Sequence, residues 1–333
     1  MALIAYGLTE GIPAQLNRTV AEVGRYLRDF GITGVFLKHL DPEWCAALQE
    51  SGLDVYASHG IFVANDGLWQ DIPESRPITA AGTPAPVEEW YRPALPSSTA
   101  VRELRLRQLD GMLRDLPLDG LWLDFIRWPA RWEKRQPNLY HSSFDAATLR
   151  RFLDDTGIEL MVADPQPAAA DWILTNAADV WHAWRCAQIA SFVDEARALL
   201  AGRRPDALLG AFTVPWTGGP LDGLPVEQAN IRIVGQDPAL LGPRVDVLSP
   251  MVYHRLCGRD ADWPGQVTSM LSEQVGCEVW PTVEAIVDDV AYGADEFASV
   301  CESAHRAGGG GLVVFNLAGL LSDSEKLPAL ARH

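Results

Sequence analysis

Short apolar strands alternate with amphipathic helical stretches along the whole chain, and this alternation restricts the fold more than any single motif. The pattern predicts strands at Leu3–Glu10, Gly34–Leu40, Asp54–Val63, Gly120–Trp128, Ala207–Pro215, Val245–His254, Cys277–Ile286 and Gly311–Leu317. Helical periodicity falls between them, at Thr19–Phe30, Glu43–Ser51, Val101–Leu116, Trp181–Ala201, Gln266–Val275 and Asp295–Ala307. In the fourth of these, Trp181, Trp184, Gln188 and Phe192 recur at helical spacing and mark one face. Glycine follows several helices and directly precedes the next strand, as in Phe30-Gly31, Ser51-Gly52 and Ala307-Gly308. A residue that tolerates left-handed backbone ends a helix there with little strain. Eight such units in a chain of 333 residues predict an α/β fold, a single-domain (β/α)8 TIM barrel over 1–333. An open doubly wound sheet is the competing topology, but no Gly-x-Gly-x-x-Gly follows the first strand to make a dinucleotide site.

Two excursions interrupt the rhythm. Residues 64–98, rich in Pro, Gly and Trp, follow the third strand, and residues 129–175, with weak helical character toward their end, follow the fourth. Both leave the C-terminal ends of strands, where barrel enzymes build their active sites. The glycine run 308–311 precedes the last strand, so it belongs to the opposite face and is read as a helix stop and turn.

The stretch Asp119-Gly-Leu-Trp-Leu-Asp-Phe-Ile-Arg-Trp-Pro129 places an acid in an apolar strand. Strand alternation sends Leu121, Leu123 and Phe125 outward to the helices, and Trp122, Asp124 and Ile126 inward. Asp124 then sits late in the strand, near the barrel mouth. The seventh strand repeats the pattern: Val279, Pro281 and Val283 point outward, Glu278, Trp280, Thr282 and Glu284 inward, with Glu284 at the mouth and Glu278 near the bottom. Two carboxyl groups across a cleft are the minimum apparatus of glycoside cleavage, one protonating the leaving oxygen and the other acting as nucleophile or base. Asp124 and Glu284 are therefore the expected catalytic pair. A spacing of about 5 Å would mean retention of configuration, and roughly 6.5–9.5 Å inversion. Each has a plainer explanation, a structural aspartate in one case and a rim carboxylate in the other.

In the sixth strand Ser249, Met251 and Tyr253 face inward, with His254 on the rim. Tyr253 and His254 are expected substrate-binding residues, as are Glu10, Lys38 (beside His39) and His59 at the ends of the first three strands, and Asn316 after the last. Arg127 is expected to bend back and pair with a neighbouring acid or to brace the loop, which would hold Asp124 ionised. Among the 12 tryptophans, Trp69, Trp90, Trp128, Trp132, Trp216, Trp263 and Trp280 fall in or beside the C-terminal loops. Aromatic faces suit the apolar faces of sugar rings, and Trp128, Trp216 and Trp280 are the expected stacking platforms.

The formal charge of −17 disfavours phosphate backbones and anionic lipid surfaces, although a local basic pocket overrides such an average. No nucleic-acid or membrane partner is expected, and oligomeric state is not encoded legibly. The beginning of the chain has no basic, apolar leader pattern. The five cysteines are scattered, with no Cys-x-x-Cys, which favours reduced thiols and a cytoplasmic setting. No His-Glu-x-x-His, no His-x-His in the first strand and no Gly-x-Ser-x-Gly occurs, so neither a metal nor a cofactor is expected.

"DGLWLDFIRWP" followed by "VDVLSPMVYH" resembles the strand-4 and strand-6 signatures of bacterial glycosyl-hydrolase-like TIM-barrel families, with spaced strands to the end of the chain. The likeness to chitinase-type barrels is more distant. Their fourth strand resembles Asp-Gly-x-Asp-x-Asp-x-Glu and their sixth Met-x-Tyr-Asp. Asp119 and Asp124 match, whereas Trp122, Ile126 and His254 stand where acids are expected. The resemblance implies a sugar-active cleft with Asp124 as the transferable catalytic position, and does not carry the substrate-assisted chitinase mechanism. The expected function is cleavage of an O-glycosidic bond in a carbohydrate substrate. The alternatives are a carbohydrate-binding barrel without turnover, and a metal-assisted hydrolase or lyase using Asp124 with His39 or His59.

Overall fold

The computed structural model describes residues 1–87, 90–160, 167–285 and 292–331. Among them, nine parallel strands form one sheet: β1 (Ala2–Leu8), β2 (Gly34–Leu37), β3 (Asp54–Gly60), β4 (Gly120–Asp124), β5 (Leu208–Thr213), β6 (Val247–Pro250), β7 (Glu278–Val279), β8 (Thr282–Glu284) and β9 (Gly311–Phe315). Their order is β7-β6-β5-β4-β3-β2-β1-β9-β8. β7 and β8 are two halves of the predicted seventh strand, separated at Trp280-Pro281, where proline offers no ladder N–H. The first half pairs with β6, the second with β9, and a parallel bridge between Met251 and Thr282 closes the ring. The architecture is the expected (β/α)8 barrel.

Helices lie within a few residues of their predicted positions because local chemistry marks their ends. The helix Val20–Asp29 starts on a reciprocal capping box between Thr19 and Glu22, and Pro42–Glu50 starts on Asp41, whose side chain accepts two backbone N–H groups. The longest helix, Ala178–Arg203, buries Trp181, Trp184, Gln188 and Phe192, the face read from the sequence. Within the second excursion the helical character resolves into Ala146–Thr156 and Ala168–Asn176.

Strand alternation splits the core into two layers. Ile4, Tyr6, Phe36, Tyr56, Trp122, Phe212, Val247, Trp280 and Val313 fill the barrel interior, while Leu121, Leu123, Val279, Val283 and Val314 pack against the helices. Trp122 fits because glycine stands on both sides. A Cβ added at Gly210 would overlap its indole, and one at Gly120 would touch it. Its Nε1 donates to Ser249 Oγ at 3.0 Å, which satisfies the one polar atom this large side chain brings inside. At the bottom of the barrel two aspartates tie adjacent strands: Asp119 accepts from Val55 N at 2.7 Å, and Asp246 from Leu209 N at 2.7 Å.

One register expectation fails. β4 ends at Asp124 instead of running on to Trp128, because Phe125 takes a left-handed backbone (φ 52°). Alternation reverses after that residue. Phe125, expected outward, faces the mouth, and Ile126, expected inward, joins the outer core.

Candidate active site

A cavity of about 680 Å³ opens at the C-terminal ends of the strands, with walls from β1, β4 and β9 and from the segments after β2, β3, β4 and β6. Asp124 lies in it, accompanied by Tyr6, Lys38, Trp90, Phe125, Arg127, Trp132, Glu133 and Tyr253 among others. The turn at Phe125 fixes the carboxyl: the Phe125 N–H donates to Asp124 Oδ1 at 2.7 Å. Desolvation raises the Asp124 carboxyl from 3.8 to about 6, against the pull of that hydrogen bond and of Arg127 and Lys38, with Glu133 pushing it further up. The group therefore exchanges its proton close to neutral pH, as a general acid must.

The aromatic wall is built by stacking. Trp132 is buried and lies against Tyr253 with ring centroids 5.5 Å apart. Trp90, 52% exposed, meets Phe125 edge-on, and Phe125 stacks on Tyr91. Burial, then the Asp124 charge, hold the Tyr253 phenol protonated. Arg127 donates to Tyr91 Oη at 3.0 Å and to the Ala130 carbonyl at 2.7 Å. These bonds join Arg127 to the segments on either side of it, and the guanidinium favours the ionised form of Asp124.

The other expected residues are distributed unevenly. Lys38 reaches the cavity and donates to Tyr6 Oη at 2.7 Å. Glu284 ends β8 as expected but is 1% exposed, and it is absent from the cavity lining. Its Oε1 accepts from Arg255 N at 2.7 Å and lies 3.3 Å from His254 Nδ1. His254 in turn meets Glu296 at 2.9 Å, behind the wall that carries Tyr253. Glu10 is on the rim, paired with His39 at 2.6 Å. His59 faces the helix Thr99–Asp115 and bonds Gln108 at 3.0 Å. Asn316 caps the helix Leu317–Leu321 through Gly319 N at 2.9 Å.

Of the three expected stacking tryptophans, Trp128 is buried in the outer core and donates to the Arg185 carbonyl. Trp280 fills the barrel interior and donates to Glu278, and Trp216 packs under the loops beside Val214 and Ile233. Among the described residues no three His, Cys, Asp or Glu side chains converge as a metal site.

Sequence alone does not single out Glu133 or Tyr6. Glu133 lines the cavity, ion-paired to Arg131, and lies close enough to raise both Asp124 and Tyr253. Its signal was present in Arg131-Trp-Glu-Lys-Arg135, a dense charged and aromatic run in the loop after β4. Tyr6 carries no such signal, since one tyrosine in an apolar strand reads as core.

The parallel strands close into a (β/α)8 barrel with an ionisable, aromatic-lined cavity at their C-terminal ends. No family model matches the sequence, nor does any curated protein. Among solved structures the glycoside hydrolase domain of PgaB (BpsB) from Bordetella bronchiseptica is similar at TM-score 0.73 and 13% identity, over 99% of this chain and 98% of that one. A β-galactosidase from the psychrophilic Marinomonas ef1 follows at 0.70 and 13%, over 100% of this chain and 58% of that one. The GH42 β-galactosidase Gan42B from G. stearothermophilus, as a catalytic mutant, matches at 0.63 and 12%, over 99% and 56%. This chain thus spans a little over half the length of those two galactosidases.

Proposed function

We propose that this chain is a glycoside hydrolase that cleaves an O-glycosidic bond, with Asp124 as the proton donor to the leaving oxygen. One observation carries the proposal: a half-buried carboxyl raised to about 6 lies in a large cavity lined by Trp90, Trp132 and Tyr253. The aromatic faces suit a pyranose ring, and general acid catalysis is worth about 10²–10⁴ in rate. Glu133, which shares the cavity, is the second carboxylate by position. Glu284 holds Arg255 and His254 behind Tyr253, and its proposed role is to position that wall. A sugar-binding barrel without turnover is the second reading, favoured by the Arg131–Glu133 ion pair, which withholds the second carboxylate. The five free cysteines support a reducing, cytoplasmic setting.

The test is a panel of aryl glycosides turned over by wild type, Asp124→Asn, Glu133→Gln and Glu284→Gln. Asp124→Asn is expected to lower kcat/KM at least about 10²-fold. Glu133→Gln lowers kcat, with partial rescue by azide if the mechanism is retaining, and Glu284→Gln acts mainly on KM. Undiminished turnover by Asp124→Asn refutes the assignment, and no turnover by wild type across the panel favours the binding barrel.

A further inference from the structure

The charge of the cavity opposes that of the chain. The whole sequence carries −17, yet among the described residues the cavity is lined by Lys38, Arg127, Arg131 and Lys134 together with Asp124 and Glu133. Arg131 is matched with Glu133. Arg127 is 2% exposed and forms no ion pair among the described residues; its hydrogen bonds go to a phenol and a carbonyl, and its Nε has no partner. Asp124 offsets the Arg127 charge while it is ionised, without a hydrogen bond to it; a buried guanidinium without a hydrogen-bonded counter-charge is costly, and a ligand that brings one recovers that cost on binding. Lys38 likewise donates to the Tyr6 hydroxyl and has no ion pair among the described residues. When Asp124 holds its proton, as a general acid does before turnover, the cavity loses the negative charge that lies near Arg127 and Lys38. The state ready for catalysis is thus the one most in need of an anion.

From this we infer that the sugar bound in the cavity is anionic, a uronic acid or similarly acidic hexose whose charged substituent meets Arg127 and Lys38. The inference rests on the glycosidase proposal above for the sugar, and on the cavity charges for its acidity. A carboxylate fits the guanidinium fork, and a sulfate ester shares the same chemistry.

The experiment compares paired 4-nitrophenyl glucuronides and glucosides in both anomeric forms, with glucose 6-sulfate as a competitor. Binding is measured on the full chain carrying Asp124→Asn, and hydrolysis on wild type. The glucuronide is expected to bind at least about tenfold more tightly than its glucoside, the size of one charge-assisted hydrogen bond. Lys38 is solvent-exposed, so Lys38→Met leaves the fold intact; placed on the same background it removes most of that preference and changes glucoside binding much less. Competition by glucose 6-sulfate identifies general anion recognition, and its failure beside tight glucuronide binding identifies a carboxylate. Equal or tighter glucoside binding, or no glucuronide binding, overturns the inference. Selective glucuronide binding without hydrolysis overturns the glycosidase proposal and leaves the anion site standing, whereas hydrolysis of neutral sugars alone does the reverse.

Discussion

Replacing Asp124 by asparagine is expected to make the protein more stable at neutral pH while disabling its proposed chemistry. Folding raises this carboxyl from 3.8 to about 6, chiefly by desolvation. Between those values the native state keeps a proton that the unfolded chain has released, so stability falls as pH rises through the window. Below 3.8 the cost is absent, and above 6 it is fully present. The displacement corresponds to roughly 3 kcal/mol. Asparagine retains the acceptor for the Phe125 N–H and carries no charge to desolvate. With an unfolding entropy of about 2.1 cal/mol/K per residue, a chain of 333 residues gains about 4 °C in Tm. The assay is differential scanning calorimetry of wild type and variant at pH 7.5 and 4.5. The stability gain should shrink to about a third at the lower pH. A variant that is no more stable at pH 7.5, or equally stabilised at both, refutes the claim that Asp124 is desolvated.

On the proposed function the same ionisation predicts an alkaline limb for wild type: kcat/KM should fall as pH rises through about 6, and a flat profile from 5 to 8 contradicts Asp124 as the acid. Gly210→Ala drives a methyl group into the Trp122 indole and should cost about 1–3 kcal/mol or more of stability, read by urea denaturation; a neutral effect means the barrel interior is loosely packed. Asp119→Ala releases the Val55 N–H and Gln49 at the bottom of the barrel, for about 1–3 kcal/mol of stability with kcat unchanged; a matching loss of kcat places Asp119 in the chemistry.

The fold was legible because it rests on periodicity. Leu121 and Leu123 against Trp122, and Val279 and Val283 against Trp280, take opposite sides of the barrel wall as alternation requires. That rule also brought Asp124 to the mouth. It stopped one residue later, where a left-handed Phe125 reversed the faces, and no local sequence signal such as glycine announced the turn. Trp128, three residues further on, turned away into the outer core for the same reason. Glu284 occupies its predicted strand end, but its surroundings are supplied by His254, Arg255 and Tyr292 from other segments. Strand parity gives a side chain's direction and says nothing of what closes over it. Glu133 lies on a loop, where no period operates, so only its density of charge beside tryptophan marked it. The pairing of Arg127 with a phenol instead of an acid is a tertiary outcome of the same kind.

The central claim, that Asp124 protonates the departing oxygen, is tested most directly by varying the leaving group. Wild type and Asp124→Asn are compared by kcat/KM on aryl glycosides of one sugar, from 2,4-dinitrophenyl to unsubstituted phenyl. The nitrated phenol departs without a proton, so the variant should approach wild-type turnover there and fall progressively further behind, by about 10²-fold or more, as the phenol becomes more basic. A loss of the same size for every leaving group would contradict the account.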